Sequence, residues 1–487
     1  MAVLASSLLA LSLATVPRNV MTTVHAQAAA KNYIIAYNQS SLPSGYETAI
    51  KNAGGKVISA MPEVGGVEVS STDPNFLDNI SKSTNISAAN LERTYKLNTE
   101  QPTAADGLPV SLTADADGTY WSSQWDMQRL TNNKKSFAVE SGGTVKNGVL
   151  THKAVVGVID TGIDAKHPDL KANYIGGRNY VPSGGYPGNL KDETGDPSDV
   201  KDREGHGTHV AGSIAGNGKI KGVGPDLGIR AYRIFDSSGS APTAPIIEAI
   251  VGAANDKVDV INMSIGGFDN LKYYYEGTRY SDISDVLLWK RAVEYAVKKN
   301  VTIVASAGNE SLNYDDKKSL TDYMNSVYAF PGLVYEGVAI ETPGGTPGVI
   351  TVSSSNKWST EQLAFYSNYG NSFIDVAAPG GDNGPKYAST GNLADRDFTY
   401  RALSTWPTYL APYFTTKAKG YAYLHGTSMA SPKVAGIAGV IKAQHPEYSP
   451  SQVKAVIQQT ALDYGKTGQD QLFGFGDANA YTALTKK

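Results

Sequence analysis

Five short apolar runs recur along the middle of the chain: AVVGVID (154–160), GIRAYRIF (228–235), VDVINMSI (258–265), NVTIVASAG (300–308) and GVITVSS (348–354). Continuous hydrophobicity over so few residues predicts strands buried on both faces, the habit of a parallel sheet. Between them lie helical stretches such as APIIEAIVGAAND (244–256) and SDVLLWKRAVEYAVKKN (284–300). The alternation predicts an α/β fold, a doubly wound and mostly parallel sheet flanked by helices. Functional groups in such a fold gather at the carboxyl ends of the strands.

The first hundred residues are patterned differently. Residues 3–16 (VLASSLLALSLATV) are apolar, and small residues follow in VHAQAAA (24–30). The run is short for a membrane span and reads as a secretory signal over 1–28, cut after Ala26 or Ala28. No Lys or Arg precedes it, so the natural start is expected further upstream. Next, KNYIIAY reads as a strand, SGYETAIKNAGG as a helix with a Gly stop, and KVISAMPEVGGVEVSS as two strands about a Gly-Gly turn. DPNFLDNISKS is a helix with Pro74 at its first position after Asp73, and ISAANLERTYKL supplies a last strand. The order β-α-β-β-α-β predicts a small α+β, ferredoxin-like unit.

Composition narrows the chemistry. The chain has 487 residues, with 43 Lys and Arg against 46 Asp and Glu. At ~150 residues per domain this allows about three units. A net charge of −3 gives no electrostatic footprint for nucleic acid or an anionic membrane. There is no cysteine, which excludes disulfides, thiolate catalysis and Cys-ligated zinc or iron–sulfur clusters. No later segment reaches the ~18 apolar residues of a span, and the terminal TALTKK offers no anchor, so a soluble product is expected.

Three motifs fall where strands end or helices begin. AVVGVID terminates in Asp160, before the turn Thr161-Gly162. In EGHGTHVAG (204–212), His206 opens a small-residue stretch suited to a tightly packed helix. HGTSMASPKVAGIAGVIKA (425–443) places Ser428 at the start of a helix, with Pro432 in its first turn. A serine hydroxyl is a weak nucleophile that needs a neighbouring base, which His206 would provide. Asp160 would hold the imidazole tautomer and stabilise the imidazolium. Asn309, in SAGN, and the backbone N–H of Ser428 are candidate donors for the developing oxyanion. Each residue alone has a bland role as turn, cap or core; jointly they point to acyl transfer.

The segments VIDTGID (158–164), HGTHVAG (206–212), NMSIGG (262–267), SAGN (306–309) and GTSMASP (426–432) make residues 120–487 resemble the subtilisin family of serine endopeptidases. The chain order Asp, His, Ser is that of subtilisin. The resemblance implies a subtilisin-like fold, a triad of Asp160, His206 and Ser428, and Asn309 as oxyanion donor. Ser264, Ile265 and Gly266 resemble the family's edge segment, which pairs with the main chain of a peptide or protein substrate. Ala307 and Gly308 are expected to line the same cleft. Residues 29–100 fit the family's propeptide, an intramolecular chaperone and inhibitor that the enzyme cuts from its catalytic domain, 101–487. The expected bond is Glu100–Gln101, with the bond after Lys96 as second choice.

The chain departs from the family pattern in places. SIAGNGKIKGVGP (213–225) is shorter than the loop that ligates the family's strong calcium. Asp169 matches a ligand of that site but lacks loop partners, so the site is expected to be absent or altered. No cofactor is expected, calcium alone being left open, and Asp169 is expected as a helix-start or surface carboxylate. Segments 184–202, 313–337 and 386–424 are long and are expected to rim the cleft and narrow access. Glu341 falls near the floor of the first specificity pocket, where a carboxylate favours Lys or Arg before the scissile bond. That preference conflicts with a cut after Glu100. The resulting expectation is a secreted, extracellular, monomeric serine endopeptidase, autoprocessed from a zymogen, resembling the lantibiotic leader peptidases. A broad degradative protease is the enzymatic alternative, and a peptide-binding pseudoprotease the non-enzymatic one.

Overall fold

The computed structural model describes residues 30–97, 110–411, 414–416 and 418–486. The expected signal segment 1–28 and the junction Glu100–Gln101 lie outside the described residues. The N-terminal unit comprises β1 (Lys31–Tyr37), α1 (Tyr46–Asn52), β2 (Gly55–Met61), β3 (Gly66–Ser71), α2 (Phe76–Ile80) and β4 (Ile86–Leu91). Its antiparallel sheet has the order β2-β3-β1-β4, the split arrangement expected from the element order. Alternation along β1 divides its side chains. Tyr33, Ile35 and Tyr37 pack with Ile50 and Phe76 of the unit's own helices. Ile34 and Ala36 face the opposite way, into the core of the larger domain.

The single last strand expected over 86–97 is broken in two. After β4 the chain turns at Glu92–Arg93, and β5 (Thr94–Lys96) leaves the sheet to pair with the larger domain.

That domain is built on β6 (Val155–Asp160), β7 (Tyr174–Asn179), α3 (His206–Ala215), β8 (Gly228–Arg233), β9 (Ser240–Pro242), α4 (Thr243–Asn255), β10 (Val260–Met263), α5 (Ile283–Lys298), β11 (Thr302–Ser306), β12 (Val349–Ser355), β13 (Val376–Pro379) and α6 (Thr427–Gln444). Seven strands form one parallel sheet in the order β7-β8-β6-β10-β11-β12-β13. Helices α3 and α6 cover one face with Val156 and Val158, and α4 and α5 cover the other with Ile159. Both faces are thus buried, which accounts for the uninterrupted apolar runs.

The N-terminal unit docks on the N-termini of α4 and α5. Glu92 Oε1 accepts the Ala244 N–H at 2.7 Å, and Asn90 Oδ1 accepts the Ser284 N–H at 2.7 Å. Side chains of one unit therefore satisfy helix-end donors of the other.

Candidate active site

Asp160 is the last residue of β6 and is fully buried. Its Oδ1 accepts from His206 Nδ1 and from the Thr161 N–H, both at 2.7 Å, while Oδ2 has no hydrogen-bond partner among the described residues. His206 opens α3 behind Gly205, whose φ of 103° suits glycine. Asp202, which sequence reasoning missed, anchors this helix end. Its Oδ1 accepts the Gly205 N–H at 2.7 Å, and Oδ2 accepts the N–H and hydroxyl of Thr208 at 2.8 and 2.6 Å. Burial opposes a charged imidazole, but the charge and hydrogen bond of Asp160 outweigh it, so the His206 pKa is raised above its ordinary value. One turn along, His209 meets the Ala422 carbonyl instead, and burial followed by Lys433 pushes it down to about 3.

Ser428 is the second residue of α6, after Gly426. Its hydroxyl donates to the Ser264 carbonyl at 3.0 Å, and the Ser264 hydroxyl donates to the Ser428 carbonyl at 2.8 Å. Pro432 lies inside the helix, not in its first turn, and so withholds the N–H that carbonyl would ordinarily receive. Asn262 Nδ2 donates to Ser264 Oγ at 2.9 Å, and Ser431 Oγ donates to Asn262 Oδ1 at 2.7 Å, fixing the arrangement. Asn309 Oδ1 accepts both the N–H and the hydroxyl of Thr427 at 2.9 Å. Its amide nitrogen is left as a donor beside the helix N-terminus. His206, Ser428, Asn309, Ser264, Ile265 and Gly266 line one cleft.

Gly308 and Glu341 line the same cleft, but Ala307 does not. Ala307 is fully buried, its N–H on the Val352 carbonyl and its own carbonyl on Asn368 Nδ2. Its position beside Gly308 in sequence does not carry into the cleft. Glu341 is 2% exposed; Oε2 accepts the Gly345 N–H at 3.0 Å, and Oε1 has no hydrogen-bond partner among the described residues. Glycines make room for it: a Cβ at Gly266 would stand 2.4 Å from Oε1, and one at Gly344 2.3 Å from Oε2. Burial, then neighbouring Glu310, pushes the Glu341 carboxyl well above the usual carboxylate range.

The opposite wall was not legible beforehand. β5 of the N-terminal unit supplies it, lying antiparallel along edge strand β9 with Lys96 opposite Ser240 and Tyr95 opposite Ala241. The pairing continues as the Leu97 N–H donates to the Gly239 carbonyl at 2.9 Å. Tyr95, Lys96 and Leu97 thereby occupy the cleft of His206 and Ser428. The Lys96 ammonium meets the Ser240 hydroxyl, not Glu341.

The three long segments were expected to rim the cleft, and among the described residues none of them lines the pocket beside Ser428. The first is tied inward by Glu193, which makes a buried two-pronged pair with Arg233 at 2.8 and 2.5 Å. In the second, Tyr314 stacks behind the cleft residue Phe268. The third forms strands Ala402–Thr405 and Tyr421–Leu424, which are buried against α3. Their apolar content reflects core packing. Asp169 is likewise buried, not on the surface: Oδ2 accepts the Ile220 N–H at 3.0 Å and the Tyr421 hydroxyl at 3.1 Å. Both partners are donors. A cation needs further oxygen acceptors, and among the described residues no group of three or more His, Asp or Glu could hold one. No helix among the described residues is long and apolar enough to cross a membrane.

Comparison with known proteins agrees with this architecture. The family model described as the subtilase family, Peptidase_S8, matches residues 151–476. The nisin leader peptide-processing serine protease NisP of Lactococcus lactis is 34% identical over 69% of this chain, which spans 46% of that relative's length. The epidermin leader peptide-processing serine protease EpiP of Staphylococcus epidermidis is 31% identical, covering 74% of each protein. The crystal structure of EpiP from Staphylococcus aureus superposes with a TM-score of 0.73 at 27% identity, covering 94% of this chain and 98% of that one. With a parallel seven-stranded sheet and a family match over two-thirds of its length, the chain belongs to the subtilase family of serine proteases.

Proposed function

We propose that the protein is a secreted serine endopeptidase, made as a zymogen, that removes leader peptides from lantibiotic-type precursors. The observation that carries the endopeptidase reading is the 2.7 Å His206–Asp160 contact in a cleft shared with Ser428 and Asn309. Ser428 Oγ turns from the Ser264 carbonyl to His206 Nε2, gives up its proton, and attacks the peptide carbonyl carbon. Asn309 Nδ2 and the Ser428 N–H take up the negative charge on the carbonyl oxygen. The tetrahedral species collapses as His206 returns the proton to the departing amine, leaving an acyl-enzyme. Water then repeats the sequence, with His206 as base, and frees Ser428. The triad steps call on no metal, and the Asp169 carboxylate is held by the Ile220 N–H and the Tyr421 hydroxyl.

The zymogen reading assigns 1–28 to the signal, 29–100 to the propeptide and 101–487 to the enzyme. Its support is β5, which lies in the cleft as a main-chain mimic of substrate. Glu341 would favour Lys or Arg before the scissile bond, since its Oε1, without a partner among the described residues, suits a cationic side chain; the bond after Lys96 meets that preference and Glu100–Gln101 does not. The leader-processing reading draws on what the two similar proteins are named for. With the long segments outside the cleft lining, selectivity falls to such pockets. A fluorophosphonate should label Ser428, and Ser428→Ala should leave an uncut precursor. Unlabelled, folded protein would overturn the enzyme reading. Cleavage of a peptide library without preference would replace leader processing with general degradation.

A further inference from the structure

Tyr95 enters the larger domain more deeply than substrate-like pairing requires. It is 3% exposed, and its ring meets Trp289 edge-on, with centroids 5.8 Å apart at 83°. Gly267 admits the ring, because a Cβ there would lie 2.8 Å from Tyr95 Cδ1. At the floor, Trp289 Nε1 donates to the phenolic oxygen at 2.9 Å. The hydroxyl faces Asp269 Oδ1 and Oδ2 at 3.2 and 3.1 Å, and Thr342 Oγ1 at 2.8 Å. Thr342 in turn donates to Asp269 Oδ2 at 2.6 Å.

The phenol therefore works in both directions, accepting from the indole and donating to the carboxylate. Trp289 and Asp269 are fully buried and Thr342 nearly so. Among the described residues the indole N–H has no other acceptor. A phenylalanine in this place would fill the apolar space yet leave that N–H unpaired, away from water, and a buried unpaired donor is costly.

We propose that Trp289, Asp269 and Thr342 make this pocket a reader of the phenolic hydroxyl, so that the enzyme prefers tyrosine over phenylalanine at the substrate position that Tyr95 occupies. The inference rests on the endopeptidase reading and adds a substrate class to it: peptides with tyrosine upstream of the cut, held by β9.

The test uses peptides with the sequence of residues 90–104 carrying Tyr, Phe or Arg at position 95, offered to the self-processed full chain. The tyrosine peptide should show kcat/KM at least about tenfold above phenylalanine, the scale of one lost buried hydrogen bond. Trp289→Phe, which removes the N–H, should shrink that ratio to below about threefold. Equal rates for Tyr and Phe, or a preference for Arg reaching Asp269, would overturn the inference while leaving the endopeptidase reading intact. A second measurement needs no catalysis. In the Ser428→Ala chain, Tyr95→Phe should lower the denaturant midpoint for release of the N-terminal unit, and an unchanged midpoint would overturn the inference even for an inactive protein.

Discussion

The hydroxyl of Ser264 supplies the carbonyl of Ser428 with the hydrogen bond, 2.8 Å long, that the helix cannot provide, because the donor position is Pro432. The proposed nucleophile is thereby fastened to the segment expected to hold the substrate. Ser264→Ala leaves that carbonyl unpaired and should cost about 1–3 kcal/mol of stability. In a Pro432→Ala background a backbone N–H becomes available, and the same substitution should cost less than half as much. Urea denaturation of the four proteins measures the coupling. Equal costs in both backgrounds would disconnect Pro432 from Ser264.

On the proposed mechanism, the raised His206 pKa should set the acid limb of the activity profile. The base must be neutral, so kcat/KM should fall as pH drops through a value above that of an ordinary imidazole. For stability the sign reverses: protonated His206 contributes below its unfolded pKa, and the contribution is lost as pH rises through the folded one. Asp160→Asn removes the raising partner and should move the limb downward while cutting kcat by about 10⁴, the loss seen for the equivalent change in a related triad. A pH–rate series on both proteins checks the direction.

Glu341 should behave as a carboxyl that ionises when its ligand arrives. Peptides with Arg before the cut should bind more weakly as pH falls, since burial and Glu310 favour the protonated form. Glu341→Gln should lower kcat/KM for Arg peptides about 10- to 100-fold and leave neutral ones less affected, the range for a lost charge-assisted hydrogen bond. Unchanged selectivity would remove Glu341 from the pocket.

The donors on Asp169 make a prediction about chelation. The Tm in EDTA should equal that in calcium, because Ile220 and Tyr421 already hold the carboxylate. Tyr421→Phe should lower the Tm under either condition. A calcium-dependent rise in the unaltered protein would reveal a site elsewhere.

Much of this was readable from local pattern. Asp160, His206 and Ser428 each sit at an element boundary that a short apolar or small-residue run marks, and Asn309 follows three residues after the end of β11. What was not readable depends on distant partners. β7, with the sequence YIGGRN, is a Gly-rich strand at the sheet margin whose side chains are mostly only part-buried, so it carries no apolar run. β9 is three residues of Ser, Ala and Pro that become a strand only when β5 arrives from some 145 positions upstream. Tyr95 and Asp269 lie 174 residues apart, and no spacing rule joins them. The long segments misled for a related reason: loop length is local, whereas the burial of Ala402–Thr405 against α3 is not.

β9 has a consequence for the enzyme once it is free. Without β5, its N–H and C=O groups form a bare rail onto which any extended chain can fasten, whatever its side chains. Pro242 ends the rail because it has no N–H to offer, so the grip stays short and cannot nucleate a growing stack of strands. On the proposed reading, the fragment upstream of a cut would remain on that rail after the bond is broken. Its departure, not the chemistry at Ser428, would then set the pace of repeated turnover, and the chain's own severed N-terminal unit would be the first product to queue there.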